Sequence, residues 1–484
     1  MGETWDKIRT VVWGKNPKDP VEARLLLKLD WFILSFCCLM YWINYLDRAN
    51  LANAYVSGMQ EDLGMKGNEF NLINTCFNIG YIVALVPHNL ILLKIRPRYW
   101  LSFCIFAWGV LTLSMYKATS YKQLCVIRFF VACFEACTFT GVHLILGTYY
   151  EEELLPFRTA IFTSSGLVGS IFSSVLQAAI FENMDDYNGI RGWRWLFIID
   201  FLITIPVVIY GFIFFPDAPE ISKAFYFTQE EHELALKKSQ SRKHKDRFDW
   251  SVLKRVLGNW HWYLFSFLWV LGGENESFAS NSLFALWLKY FNYTVPERNH
   301  FPMGVFAMGI FFTLTSALYL NATGGNKHWH IGIMIAAIMI LATILLAARP
   351  LEASFVFASQ YLGGVAYAGQ TVFFAWANVV CKDDLQERAV VLASMNMFSN
   401  AVNAWWSLLF YVATDVPKFR KGCWAMLGTT LASVVVVGAI RYLHVQEERK
   451  SVFNSVDEEN SVEDLPGKGE SVMVNVESHS SVSE

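Results

Sequence analysis

The sequence carries little charge for its length. Asp, Glu, Lys and Arg make up 17% of its 484 residues, whereas a soluble chain carries about a quarter. That deficit excludes an ordinary soluble globular protein. The chain also lacks a Walker sequence, a Gly-rich phosphate loop after a strand, and any His/Cys cluster at metal-ligand spacing. These absences argue against an ATP-driven pump and against an enzyme. No cofactor, metal or nucleic-acid partner is expected, and uphill movement of a solute would have to draw on an ion gradient. The nine cysteines form no framework. Cys37, Cys38, Cys104, Cys125, Cys133, Cys137 and Cys423 lie in apolar stretches, where packing is their expected role. No cleavable signal peptide is read in the polar, basic first 29 residues.

What is abundant is apolar. Hydrophobic residues make up 54% of the chain and aromatics 16%. Apolar runs of about 20 residues recur from Asp30 to Leu443, each long enough to cross a hydrocarbon core about 30 Å thick. The expectation is an all-α polytopic membrane protein with twelve transmembrane helices in two six-helix bundles. A leader (1–29) precedes an N-terminal bundle (30–215). Its spans are about Asp30–Asn53, Phe70–Ile95, Trp100–Lys117, Lys122–Tyr149, Phe157–Phe181 and Trp195–Phe215. A charged, amphipathic connector (216–260) follows. The C-terminal bundle (261–443) has spans at about His261–Lys289, Met303–Leu320, Trp329–Ala348, Phe355–Val380, Arg388–Ala413 and Gly422–Leu443. The acidic, Ser-rich remainder, 444–484, is expected to be a disordered tail.

Orientation follows Lys and Arg. The leader, the Lys94/Arg96/Arg98 loop, the connector, Lys382/Arg388 and Arg441–Lys450 fall on one side, which makes both termini cytosolic in a multi-pass protein. Lys418, Arg420 and Lys421 load the opposite side as well. Asn292-Tyr293-Thr294 then lies outside as a glycosylation acceptor sequence.

Polar groups at membrane depth are expensive and mark pathways or partners. The fourth span carries Arg128 and Glu135, seven residues apart and so on nearly one helix face. A fixed cation beside a carboxyl that exchanges protons is equipment for moving an anion together with a proton; a structural pair joining helices is the alternative. Burial favours the neutral acid and a neighbouring guanidinium the ionised one. His143 is a secondary candidate, with helix packing its commoner role. In the first span Asp47 lies at the depth of Arg128, placed either to pair with it across helices as a gate or a structural bridge or to touch substrate. Its neighbour Arg48 is the other candidate for the gate or ion pair, although adjacent helical residues point away from each other.

The seventh span reads GGENESFASNS from Gly272, with paired glycines that favour a local break. Glu274 is expected near the midplane, level with Glu135, and Glu276 is expected to point elsewhere. The tenth span offers Tyr367 and Gln370, and the eleventh Asn396, Asn400 and Asn403, as uncharged hydrogen-bonding groups for a ligand or between helices.

Two six-span halves around a cytosolic loop resemble the layout of the major facilitator fold. YWINYLDRANLANAYVSGM, RFFVACFEACTFTGVHLILGTYY and GWRWLFIID resemble the allantoate permease branch of the anion:cation symporter family, over about Arg24 to Glu448. WVLGGENESFASNSLFALWL, QYLGGVAYAGQTVFFAWANVV and ERAVVLASMNMFSNAVNAWWS are similar to the fungal pantothenate–proton symporters of that branch, with the biotin symporters next. Leu93–Arg98 departs from the usual facilitator gating motif by lacking its acidic residue and most of its glycines. The resemblance implies proton-coupled uptake of a small carboxylate at the plasma membrane. Arg128 would attract the carboxylate. Tyr367, Gln370 and Asn396 would meet amide and hydroxyl groups. Glu135, with Glu274, would carry the proton. Carriers of biotin, nicotinate, allantoate or dipeptides, and a non-transporting nutrient sensor, are the competing readings.

Overall fold

The computed structural model describes residues 19–463, apart from 93–94, 151–154, 218–221, 223, 243–250, 281–282, 324–326, 382–383 and 413–414. The first 18 residues and those after 463 lie outside it, as do Lys94, Lys382 and the side chain of His143. The regular elements among the described residues are all helices, with no strand. An all-α fold is what a chain of long apolar runs must adopt, since only intra-segment hydrogen bonds satisfy a backbone in hydrocarbon.

Helix α1 spans Pro20–Asp62. It starts ten residues earlier than the apolar run, because Asp19 caps it by accepting from the Val21 N–H and Pro20 occupies the first turn. Near its far end Ser57 and Gly58 leave the helical region, with φ at Gly58 of 112°. Then follow α2 (Glu69–Leu92), α3 (Pro97–Ser114), α4 (Tyr121–Glu135), α5 (Cys137–Tyr149), α6 (Leu155–Met184) and α7 (Gly192–Phe214). The connector holds α8 (Gln229–Arg242) and α9 (Ser251–Gly258). The second half has α10 (Trp260–Ser280), α11 (Leu283–Tyr290), α12 (Val295–His300), α13 (Met303–Ala322) and α14 (His328–Ala348). It closes with α15 (Ala353–Gly363), α16 (Ala368–Val380), α17 (Leu385–Phe410) and α18 (Arg420–Glu463).

Every stretch expected to cross the membrane contains helix. Among the described residues seven helices are long and apolar enough to cross a membrane: Pro20–Asp62, Pro97–Lys117, Phe157–Met184, Gly192–Phe214, Val295–Ala322, His328–Ala348 and Arg420–Arg449. Several of the others are interrupted where the sequence turns polar or glycine-rich. The fourth stretch breaks at Ala136 into α4 and α5, and the tenth passes through a 3-10 turn at Gly364–Tyr367. The residues from His444, expected to be disordered, instead continue α18 to Glu463. No Gly or Pro intervenes between Gly438 and Pro466 to stop the helix. The described residues form two compact units, divided after Gly438.

In the first unit α1 packs along α6, α2 along α4, and α10 along α17. Small residues allow the approach. A side chain at Gly169 would collide with the Trp42 carbonyl, and one at Gly80 with that of Phe129. Ser165 Oγ also donates to the Cys38 carbonyl at 3.0 Å. At the opposite end of α1, Asp30 accepts from buried Arg158 at 2.7 and 2.8 Å and from Tyr150 at 2.8 Å. Arg98 donates to the last carbonyls of α7, Phe212 at 2.6 Å and Ile213 at 3.0 Å, and Arg96 lies 3.7 Å from Asp217. The basic loop after α2 thus finds its acid just beyond α7 rather than within its own loop.

The two halves meet through α6 against α13 and α2 against α17. Where α1 ends and α2 begins, a polar latch crosses the seam. Lys289 Nζ lies 2.6 Å from Glu61 Oε1 and 2.7 Å from Gln60 Oε1. Asn299 donates to Ser57 Oγ at 3.0 Å, and Asn71 to the Tyr411 carbonyl at 3.1 Å. Thr163 and Thr371 meet across the seam at 3.2 Å, further along α6 and α16.

Candidate functional site

Between the halves lies a cavity of about 270 Å³, near the lower bound of small-ligand sites at about 300–1,000 Å³. Tyr41, Asn44, Tyr45 and Arg48 of α1, Phe77 and Tyr81 of α2, and Arg128 of α4 line one wall. Trp269, Gly273, Glu276 and Ser277 of α10, Tyr367 of the 3-10 turn, Gln370 of α16, and Asn396, Asn400 and Asn403 of α17 line the other. The wall from the first half is cationic and aromatic. The facing wall is rich in amides and hydroxyls and bears one acid.

Four charged residues, two of α1 and two of α4, pair crosswise. Asp47 and Arg48 are consecutive, so their side chains diverge by about 100° around the helix. Asp47 turns toward Arg128, Oδ1 to Nη1 being 3.7 Å. It also accepts from Thr112 Oγ1 at 2.8 Å, and its carbonyl accepts from Arg128 at 3.4 Å. Arg48 turns the other way, its Nε 3.2 Å from Glu135 Oε2. The fourth-span Arg and Glu therefore do not pair with each other; each takes the α1 residue of opposite sign.

The two cations differ in access. The Arg128 side chain is 2% exposed, with the Phe77 ring 4.5 Å from its guanidinium carbon. The Arg48 side chain is 33% exposed, into the cavity, among the rings of Tyr45, Phe77 and Tyr81 at 5.6, 5.1 and 5.2 Å. Asp47 and Glu135 sit behind this wall and do not line the cavity. Behind them lies an acid that reading the sequence overlooked. Asp200 of α7 is buried, accepts from Asn50 at 2.7 Å and interacts electrostatically with Asp47 and Glu135. A lone Asp inside the apolar run of the sixth span was the available signal.

On the facing wall Tyr367, Gln370 and Asn396 line the cavity. Glu274 does not. Its carboxylate is buried without a hydrogen-bond partner among the described residues, while its carbonyl accepts from Tyr411 at 3.0 Å. Glu276, expected to point away, is the acid that lines the cavity. Helical neighbours Gly273, Ser277 and Ser280 line it too, a small-residue stripe at spacings of three and four that identifies the inward face.

Two groups of distant residues converge at ligand-like distance, which sequence spacing did not reveal: His88, Cys104 and Cys137, and His261, Cys381 and Glu387. In the first, both His88 ring nitrogens are engaged, one at 2.6 Å from the Cys133 carbonyl and one accepting from Trp100 at 3.1 Å. In the second, Glu387 accepts from Asn259 at 3.0 Å and contacts His261 Nδ1 at 2.9 Å. Helix-end hydrogen bonding accounts for both.

Comparison with known proteins agrees with this architecture. A family model described as Major Facilitator Superfamily matches residues 37–407. The pantothenate transporter FEN2 of Saccharomyces cerevisiae is 53% identical over 94% of this chain and 90% of its own. The pantothenate transporter liz1 of Schizosaccharomyces pombe is 40% identical over 93% and 88%. Among solved structures a D-xylose–proton symporter superimposes with a TM-score of 0.64, at 11% identity, over 85% of this chain and 97% of its own.

Proposed function

The chain belongs to the major facilitator superfamily, and on that premise we propose that it carries the vitamin pantothenate across the plasma membrane, with protons, by alternating access. The naming of relatives 53% and 40% identical over nearly their full length supports the substrate. The observation that carries the chemistry is the cavity itself: an accessible guanidinium on one wall faces amides and hydroxyls on the other. Pantothenate is a monocarboxylate with an amide and hydroxyls, so its groups match that distribution.

In this reading Arg48 meets the carboxylate, and Arg128 adds positive potential from beneath Phe77. Gln370, Asn396 and Tyr367 meet the amide and hydroxyl groups. The anion competes with Glu135 for Arg48. When the anion takes the guanidinium, Glu135 loses its counter-ion and takes a proton instead, since an unpaired buried carboxylate is strongly disfavoured. Anion and proton therefore load together, and release on the other side restores the Arg48–Glu135 pair. Glu274, away from the cavity, has no part in this exchange. Both termini lie in the cytosol, the twelve helical stretches all cross, and the latch at the end of α1 closes the outer side. Protonation biases the two states by removing charge that opposes rearrangement.

The test is uptake of radiolabelled pantothenate in cells lacking their own carrier, at pH 5 and pH 7.5, with and without a protonophore and with biotin as competitor. Saturable uptake that is faster in acid, lost with the protonophore and indifferent to biotin is expected. No uptake by protein present at the cell surface would remove pantothenate, and competition by biotin would widen the substrate range.

A further inference from the structure

Two ion pairs balance the charges of the cationic wall, Arg48 with Glu135 and Arg128 with Asp47. Glu276 stands outside that balance. It is the acid among the described residues that line the cavity, it comes from the other half, and its Oε2 is buried without a hydrogen-bond partner. No Lys or Arg lies within ion-pair distance of it among the described residues.

The groups that face it are few. From α1 they are Tyr41, Tyr45 and Arg48, and Arg48 is the cation whose field reaches it. From the 3-10 turn before α16 comes Tyr367. Tyr81 of α2 and Arg128 of α4 line the same cavity, and α17 contributes only uncharged Asn and Ser side chains. An anion bound at Arg48 therefore shares a small cavity with this carboxyl. Like charges in such a place cannot both persist at modest cost.

We propose that Glu276 is a second proton-binding group of the transport cycle, and that its protonation is a condition for anion binding. The inference rests on the anion-carrier reading above and adds to it a proton site on the C-terminal half. One proton binds the Glu276 carboxylate from the outer solution before or with the anion. The neutral acid no longer repels the substrate and offers an O–H donor to it. The same proton leaves to the inner solution when the anion has gone. With Glu135 taking one proton and Glu276 another, each monoanion enters with two protons and one net positive charge.

The experiment compares wild type, Glu276→Gln, Glu276→Asp and Glu274→Gln in proteoliposomes, reading pantothenate affinity against pH and charge movement against imposed potential. For wild type, affinity falls by up to about tenfold per pH unit on the alkaline limb attributable to this site, and uptake is driven by an inside-negative potential. Glu276→Gln should lose that limb, still exchange labelled for unlabelled pantothenate, and carry no net charge. Glu276→Asp should regain both properties, and Glu274→Gln should leave them as in wild type. Potential-driven uptake unchanged in Glu276→Gln overturns the proposal. A second readout needs no substrate. The infrared carboxyl stretch of wild-type protein should show a band that titrates with pH and is missing from Glu276→Gln. Its persistence in that variant overturns the proton site even if pantothenate proves to be the wrong cargo. Its loss alongside absent pantothenate transport would retain the site and discard only the cargo.

Discussion

At the scale of single residues, the two arginines of the cationic wall separate by what they touch. Arg48 opens to the cavity, so its loss is expected to impair transport. Truncating one member of a hydrogen-bonded charge pair costs about 2–5 kcal/mol, and Arg48→Ala should lower uptake efficiency at least about thirtyfold at normal surface level. Radiolabelled initial rates normalised to surface protein check this, and wild-type rates would remove Arg48 from the site. Arg128 is buried against Asp47, so its loss strands an acid. Breaking a buried pair costs about 3–5 kcal/mol, and Arg128→Ala should show a lowered melting temperature in detergent. A melt equal to wild type would mean that the pair does not hold α4 to α1. Counting along the helices put Asp47 within reach of Arg128, and the two lie 3.7 Å apart. Counting did not disclose which of Glu274 and Glu276 faces inward. Two residues apart on a helix lie about 200° around it, and the phase is set by packing against α17 and α1. The Gly273/Ser277/Ser280 stripe held that phase.

At the scale of the element, close packing was legible and helix ends were not. The Gly- and Ser-rich fifth span implies near contact, and α6 meets α1 at Gly169. Gly169→Ala forces a methyl against the Trp42 carbonyl, where overpacking costs about 1–3 kcal/mol. A lower thermal midpoint of the purified protein is expected, and an unchanged one would show that α1 can shift. Helix α1 begins before Asp30 and α18 runs past Leu443, because apolarity reports the crossing segment, while capping and the absence of breakers decide where the helix stops. The connector helix α8 is tied to α1 by Lys28, whose Nζ lies 2.7 Å from Glu231 Oε2 and 2.7 Å from the Tyr226 carbonyl. Burial of Glu231 opposes its ionisation, but hydrogen bonds from Lys28 and Thr228 outweigh that and hold its carboxyl below the ordinary value. A lowered folded value contributes stability that is present above the unfolded value, about 4.3, and is lost as pH falls through the folded one. Proteolysis within α8 should therefore be unchanged from pH 7 to pH 5 and rise only in stronger acid. Glu231→Gln should show the raised cleavage already at pH 7, and equal cleavage of both forms there would rule out the tie.

At the scale of the whole molecule, two six-helix bundles were the expectation, and the helices found pair as α1 with α6, α2 with α4 and α10 with α17. The seam between halves is what no single stretch of sequence describes, because its residues come from Gln60, Glu61, Asn71, Lys289 and Asn299, far apart in the chain. Its ion pair is open to solvent: the Glu61 side chain is 61% exposed. Charges in that position are screened over about 8 Å at 0.15 M salt and over about 3 Å at 1 M. The stability of the latched arrangement is thus set partly by the ionic strength of the medium bathing that face. On the proposed outward placement of the latch, a cell moving from fresh water to brine would alter the resting preference of its carrier without any change in vitamin, pH or potential.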